Sequence, residues 1–239
     1  MNAYAVTDVG RQRNMNQDYV FSTGKPVGNL PNLYIVADGM GGHKAGDMAS
    51  KFSVTTFIDF VKDSESTKPI AIISDAIQYT NARLLELAAT SPDYTGMGTT
   101  FVVATIYGRS AYIANVGDSR LYVMDRELRQ VTRDHSLVEE MIQNGTINRS
   151  EARNHEHKNV ITRAIGGMEN VMADFFEVEL EENSLILMCS DGLTNMVTDS
   201  EIERIMLSKT DIMNKCNSLV ELANKNGGKD NISAIIIEP

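Results

Sequence analysis

Short apolar and β-branched runs recur along the chain and predict strands. The clearest runs are at 4–7, 33–37, 99–107, 111–116, 121–124, 185–189 and 232–237. Longer segments at about 45–61, 70–89, 136–143 and 200–224 carry apolar residues at helical spacing. The strands come in consecutive groups separated by one helical pair and do not alternate regularly with helices. This order predicts an α+β layered sandwich with antiparallel sheets.

The chain is predicted to form one domain over residues 1–239, because it has only five prolines and no low-complexity tract that would indicate a linker. One polar stretch at about 144–159 is rich in Asn, Arg, Glu and His and lacks apolar periodicity. We expect it to form a surface excursion, and long polar loops of this kind often carry recognition.

The charge balance narrows the possible partners. Lysine and arginine number 22 against 32 acidic residues, a net charge of −10 that disfavours a general nucleic-acid binder. The two cysteines, Cys189 and Cys216, are predicted to be buried free thiols, which suits the inside of a cell. No signal-peptide core or membrane-length apolar run is present, so we expect a cytoplasmic protein with no membrane span.

Aspartates fall at the ends of several predicted strands, each beside a glycine or directly before a strand. Asp38 and Asp191 follow apolar runs and precede a glycine, Asp118 follows Gly117, and Asp230 comes just before the last strand. An isolated Asp-Gly is usually only a turn. Several such placements together suggest a shared site where strands meet loops, with glycine allowing close approach of a ligand.

Convergent carboxylates would repel one another unless cations bind between them. Oxygen ligands without clustered cysteine or histidine indicate Mg²⁺ or Mn²⁺ rather than zinc. A carboxylate that bridges two such ions can hold a water between them, and that water can attack phosphorus in line. The spacing therefore suggests a two-metal hydrolase, although spacing alone does not establish that the strand ends converge.

Motifs spread over the whole chain carry a family resemblance. They are TDVGRQR at 7–13 with NQD at 16–18, DGMGGH at 38–43, GTT at 98–100, VGDSR at 116–120, SDGLT at 190–194 and KDNI at 229–232. With these motifs the chain resembles the metal-dependent protein phosphatase 2C (PPM) family in its compact bacterial form. The resemblance implies a four-layer α-β-β-α sandwich, with two central antiparallel sheets flanked by helices and the metals at one end.

The resemblance also implies metal ligands. Asp38 would bridge two metals, Asp191 and Asp230 would complete the first site, and the Gly39 carbonyl would contribute to the second. Asp18 would contact the second metal through water.

Further roles follow from the same motifs. Asp118, together with Asp191, would hold a third and weaker metal. Arg13 matches the arginine that grips the substrate phosphate, a role that suits its guanidinium fork.

Two positions leave alternatives open. His43 could protonate the leaving serine or threonine oxygen, or it could brace the helix that begins near Ala45. Gln17 stands where many family members have glutamate, and a neutral amide would hold water around the second metal less strongly.

As a whole, the resemblance implies a serine/threonine protein phosphatase that uses Mn²⁺ or Mg²⁺. In the implied reaction, a metal-bridging hydroxide attacks the phosphorus of phosphoserine or phosphothreonine, and inorganic phosphate is released. Its substrates would be phosphorylated proteins and would include a bacterial serine/threonine kinase. The 144–159 segment would be a flap that influences substrate choice. A monomer is the default expectation.

Two alternatives compete with this hypothesis. One is a non-catalytic module that binds phosphoproteins through Arg13 and the flap, which the complete aspartate set argues against. The other is a two-metal phosphohydrolase of phosphodiesters or nucleotides. A nucleic-acid substrate is disfavoured by the acidic balance and the lack of a base-stacking aromatic cluster.

Overall fold

The computed structural model describes residues 1–42 and 45–239, and its strands form two antiparallel sheets. The five-stranded sheet consists, in spatial order, of β1 (Asn2–Asp8), β11 (Ile232–Glu238), β10 (Leu185–Cys189), β7 (Arg120–Met124) and β8 (Leu128–Gln130). The six-stranded sheet consists of β2 (Asp18–Thr23), β3 (Leu33–Met40), β5 (Phe101–Tyr107), β6 (Ser110–Val116) and β9 (Asp174–Glu179), with β4 (Gly98–Thr99) paired to the end of β3.

Helices cover the outer face of each sheet. On the six-stranded sheet lie α1 (Ala45–Asp63) and α2 (Pro69–Ala88), and on the five-stranded sheet lie α6 (Asp199–Met206) and α7 (Ile212–Lys225). Shorter α-helices in the connections include α3 (Leu137–Gln143), α4 (Arg149–Ala152) and α5 (Asp191–Thr194). This order of helix, sheet, sheet and helix confirms the predicted four-layer α+β fold.

Strand β3 shows why the apolar runs are continuous rather than alternating. Leu33 and Ile35 pack in the cluster under α1 and α2, whereas Tyr34 and Val36 pack between the two sheets. Both faces of the strand are therefore buried, and every position needs an apolar side chain. The same division holds in β10, where Leu187 faces the outer helices of its own sheet.

The helical pattern predicted over 200–224 is confirmed and forms two helices, because Asp211 caps the start of α7 through the Asn214 amide and the residues before it are exposed. Other predicted boundaries were wrong. The strand predicted over 99–107 is interrupted at Thr100. Strands β2, β8 and β9 were not predicted, since most of their residues are only half-buried and their sequences lack a clear apolar run.

Residues 144–159 are mostly exposed turns that contain the one-turn helix α4. A capping box between Asn148 and Glu151 begins this helix, which the sequence interpretation as a polar loop did not include. The two chain portions that flank this segment lie side by side in the fold. Ser136 pairs with Ile161, and the Leu137 N–H donates to the Val160 carbonyl at 2.8 Å.

Both cysteines are buried free thiols, as expected. Over residues 1–42 and 45–239, every helix is too short or too polar to cross a membrane.

A buried lysine links the last two long helices. The Lys215 side chain on α7 is only 5% exposed, and its ammonium donates to the carbonyl oxygens of Met206, at 2.7 Å, and Ser208. These carbonyls lie at and just beyond the end of α6, where helix geometry leaves them without partners. The ammonium therefore acts as a C-terminal cap from a neighbouring helix.

We expect Lys215→Met to lower the free energy of unfolding by about 1–3 kcal/mol, because the methionine leaves buried carbonyl oxygens unpaired. Urea denaturation would measure the loss, with the exposed Lys209→Met as a matched control. Equal stability of the two variants would refute the capping role.

Candidate metal centre

Asp38 lies within β3 and not after the strand as predicted, because Gly39 and Met40 continue the strand by pairing with β4. Its backbone is held on both sides by Thr100. The Asp38 N–H donates to Thr100 Oγ1 at 2.9 Å, and the Asp38 carbonyl accepts from the Thr100 N–H at 2.8 Å. Asp18 lies directly opposite on β2. The two carboxylates are thus placed by the registry of one sheet.

Asp191 comes one residue after β10, beyond Ser190, and is the first residue of α5. Its neighbour Gly192 lies so close to the chain before β11 that an added Cβ would overlap the Asn231 carbonyl oxygen. Gly39 is equally confined by the Gly46 carbonyl oxygen. The glycines beside Asp38 and Asp191 are therefore required by close packing of backbone on backbone, whereas the sequence interpretation assigned them to a ligand.

The strand ends converge on one cleft of about 250 Å³. Most of the predicted site residues line it: Arg13, Asp38, Gly39, Asp118, Asp191 and Asp230. Asp18 does not line the cleft; it is 5% exposed, and its Oδ2 accepts from the Ser190 hydroxyl at 2.7 Å. His43 lies outside the described residues.

Burial of these carboxyl groups shifts their protonation strongly. It raises the pKa of Asp18 to about 7 and the pKa of Asp191 to about 6, and repulsion from neighbouring aspartates adds to both shifts. The pKa values of Asp38 and Asp118 are also raised well above their usual range, first by burial and then by nearby carboxylates. Among residues 1–42 and 45–239, burial and carboxylate repulsion outweigh the nearby positive charge for these groups.

The donor set fits hard divalent cations. Within the described part of the chain, Asp18 Oδ1 and Asp191 Oδ1 are buried oxygens without a hydrogen-bond partner, and such oxygens are rare unless they serve a ligand. Carboxylate and carbonyl oxygens are the ligands that Mg²⁺ and Mn²⁺ prefer. Across residues 1–42 and 45–239, however, no three His, Cys, Asp or Glu side chains already stand as a ligand group for one ion.

Three hydrogen bonds within the protein already occupy oxygens of Asp230 and Asp191. Asp230 Oδ2 accepts from Arg13 Nη2 at 2.8 Å, and its Oδ1 accepts from the Asn231 N–H at 2.9 Å. Asp191 Oδ2 accepts from Asn195 Nδ2 at 2.8 Å. Cation binding at these carboxylates must therefore compete with hydrogen bonds inside the protein.

Asn231 fixes the loop that carries Arg13. Its Nδ2 donates to the carbonyls of Val9 and Met15, each at 2.9 Å, and its Oδ1 accepts from the Gln17 N–H at 2.8 Å. These bonds join the start of β11 to the loop between β1 and β2. Asn231 was not singled out from the sequence, although its place beside Asp230 in the KDNI motif was the available signal.

Gln17 contributes mainly through its backbone. Its carbonyl accepts from the Gly39 N–H at 3.0 Å and from the Ser50 hydroxyl at 2.6 Å. Its side-chain amide packs against Gly46 near the start of α1, where an added Cβ would overlap it. The residue thus braces the Asp38–Gly39 segment of β3 against the helix.

Comparison with known proteins agrees with this geometry. The family model described as protein phosphatase 2C matches residues 10–234. Serine/threonine phosphatase stp of Listeria monocytogenes is 40% identical over 100% of this chain and 96% of its own length.

Solved structures show the same fold. The serine/threonine phosphatase of S. agalactiae has a TM-score of 0.92 at 35% identity, covering 100% of this chain and 99% of its own. The catalytic domain of the serine/threonine protein phosphatase PstP, solved with two manganese ions, has a TM-score of 0.87 at 29% identity, covering 99% and 97%. The chain belongs to the protein phosphatase 2C family.

Proposed function

We propose that this chain is a metal-dependent protein phosphatase that hydrolyses phosphoserine and phosphothreonine and releases inorganic phosphate. The observation that carries the proposal is the convergence of Asp38, Asp191 and Asp230 on one cleft that also contains Arg13. The names of the relatives as serine/threonine phosphatases support the substrate class.

The cations are proposed to be Mn²⁺ or Mg²⁺, two in the core site. Asp38, Asp191, Asp230 and the Gly39 carbonyl would hold them, with Asp18 acting through water. When bound, the cations would supply an activated water as nucleophile and stabilise negative charge on the phosphoryl group. Two manganese ions in the PstP structure support the core pair.

A third cation is proposed at Asp118 and Asp191, which line the same cleft. Asp118 is buried, and burial together with the Asp191 charge raises its pKa. A cation there would relieve the repulsion between these two carboxylates.

Arg13 is proposed to orient the substrate phosphate. Its side chain is 48% exposed at the cleft, and the guanidinium can present two N–H groups to two phosphate oxygens. Neutralising the phosphate brings the reacting phosphorus toward the carboxylate-lined floor, where like charges would otherwise repel it.

The wider biological context stays a prediction. We propose one catalytic domain over 1–239, a flap at about 144–159, and a monomer in the cytoplasm. Phosphorylated proteins, including a bacterial serine/threonine kinase, would be the partners. The match of the family model over 10–234 and the names of the relatives support this proposal.

Asp191→Ala is expected to lower Mn²⁺-dependent turnover of a phosphothreonine peptide by about 100-fold or more, because loss of even an outer partner of a metal ligand costs about 10- to 100-fold. The exposed Asp75→Ala serves as control. A phosphodiester and a nucleotide assayed in parallel would separate the alternative hydrolases. If the wild-type protein did not hydrolyse the peptide in Mn²⁺, the proposed function would be refuted. Full activity of Asp191→Ala would instead refute the assignment of Asp191 as a metal ligand.

Arg13→Ala is expected to lower kcat/KM by about 100-fold and to weaken inhibition by inorganic phosphate, since the charge-assisted hydrogen bonds to phosphate are lost. Mn²⁺ binding, measured by calorimetry, should be retained. Arg13→Lys keeps the positive charge but loses the planar guanidinium, so its kcat/KM should lie between those of the wild type and Arg13→Ala. Unchanged kcat/KM at low substrate in Arg13→Ala would contradict the phosphate role.

The metal-free protein is expected to lose stability as the pH rises. Because the pKa of Asp18 is about 7 in the folded state and about 4 in the unfolded chain, the folded state binds more protons between these values. Its free energy of unfolding must then fall as the pH increases through this window.

Thermal unfolding in chelator at about pH 5 and about pH 8 tests this expectation. Asp18→Asn removes the titrating group without changing its shape, so its stability should depend less on pH. Added Mn²⁺ should stabilise the wild type most at the higher pH. An identical pH dependence of wild type and Asp18→Asn would contradict the expectation.

A further inference from the structure

His135 is a buried histidine beside the cleft that the proposed reaction does not use. Its side chain is 5% exposed and is absent from the cleft lining. It lies between the turn that carries Asp118 and the point where the 144–159 segment rejoins the fold. This position brings it into contact with both.

On one side, His135 holds both backbone polar groups of Gly117. The His135 N–H donates to the Gly117 carbonyl at 2.9 Å, and the Gly117 N–H donates to His135 Nδ1 at 3.1 Å. Gly117 has a φ of 106°, and a Cβ there would lie 2.7 Å from the Thr100 side chain. The turn thus requires glycine, and the imidazole fixes the residue directly before Asp118.

On the other side, the ring is oriented by a carboxylate. His135 Nε2 lies 3.2 Å from Asp174 Oδ2, while Arg163 Nη1 donates to Asp174 Oδ1 at 2.9 Å. A backbone N–H can only donate, so Nδ1 must carry the lone pair and Nε2 the proton. Burial lowers the pKa of His135, in agreement with a neutral ring. Asp174 is the acceptor for the Nε2 proton of this tautomer, and Arg163 Nη1, although 3.2 Å from Nε2, then donates to Asp174 instead.

The backbone of His135 also holds the base of the flap segment. Its carbonyl accepts from the Thr162 N–H at 2.8 Å, and the next residue, Ser136, pairs with Ile161. Ile161 lines the cleft that contains Asp118. His135 is thus hydrogen-bonded to Gly117 and Thr162, which are the chain neighbours of the cleft residues Asp118 and Ile161.

We propose that His135 is a positioning residue that sets the Asp118 carboxylate relative to the flap base, through the hydrogen bond between Gly117 N–H and Nδ1. It touches neither substrate nor cation and acts through Gly117. The inference rests on the proposed function for the role of Asp118, and it adds a residue outside the ligand set.

Two substitutions separate the halves of the imidazole. In His135→Asn the amide oxygen takes the place of Nδ1 and can still accept from Gly117, but the contact with Asp174 is lost. In His135→Gln the amide reaches the place of Nε2 and can still donate to Asp174, but no acceptor faces Gly117. Both variants lose the ring and each keeps one of its two contacts, so the variant that weakens cation binding shows whether the Gly117 contact or the Asp174 contact positions Asp118.

Mn²⁺ binding to the purified protein, measured by calorimetry, is the primary readout. We expect His135→Gln to weaken the weakest Mn²⁺ site by about tenfold, as loss of an outer-shell partner does. His135→Asn should stay close to wild type, and the other sites should change little in both variants. Equal weakening in the Asn and Gln variants, or a loss that follows only their thermal unfolding temperatures, would overturn the proposal.

A double-mutant cycle with Asp118→Ala gives the sharper test. If His135 acts through the Asp118 turn, His135→Gln should not weaken Mn²⁺ binding further once Asp118 is absent. An undiminished tenfold effect in that background would overturn the proposal. If His135→Gln does not fold, Asp174→Ala takes its place in the cycle. We expect Asp174→Ala to weaken Mn²⁺ binding by less than about tenfold, and to have no further effect in the Asp118→Ala background. Because binding is measured directly, an inactive wild type would refute the phosphatase proposal without touching this one.

Discussion

Repulsion among buried carboxylates governs the architecture at this end of the sandwich. Asp38 lies in β3 and Asp191 follows β10, two strands packed on both faces, and Asp18 pairs with Asp38 in the ladder between β2 and β3, so the backbone cannot move the three carboxylates apart. Desolvation and mutual charge both oppose their ionisation. Hydrogen bonds from Ser190 to Asp18 and from Asn195 to Asp191 compensate in part, while the Oδ1 atoms of Asp18 and Asp191 have no partner among residues 1–42 and 45–239.

The rigidity that holds this charge comes from close backbone packing around the aspartates. Gly39 and Gly192 admit neighbouring carbonyl oxygens where any side chain would collide. Asn231 then binds the loop between β1 and β2 to the start of the last strand. A site assembled from β3, the end of β10 and the start of β11 thereby behaves as one body, which a ligand set of fixed geometry requires.

The parts of the fold that could be predicted from sequence are those whose local pattern determines their environment. Strands β3, β10 and β11 are buried on both faces, so an apolar run identifies them. Strand β9 has exposed and half-buried positions and depends on its pairing with β6, which no local pattern reveals. For the same reason Asp38 and Asp191 stood out by their strand-end positions. Asn231 and His135 did not, because their roles exist only through tertiary hydrogen bonds.

The ion pair between Arg13 and Asp230 holds a cationic side chain in the cleft only weakly, so that the side chain can still bind another group. The two side chains are 48% and 31% exposed, and an ion pair so open to water contributes only about 0–1 kcal/mol. The loop itself is fixed by stronger means, since Asn231 and the Gly228 carbonyl bind its backbone. The main-chain hydrogen bonds therefore fix the position of Arg13, while its guanidinium can still rotate. A divalent cation carries more charge than the guanidinium and binds carboxylates directly, so it would displace Arg13 from Asp230 at little cost in free energy. The guanidinium N–H groups of Arg13 would then be available to the phosphate that the cleft is proposed to receive.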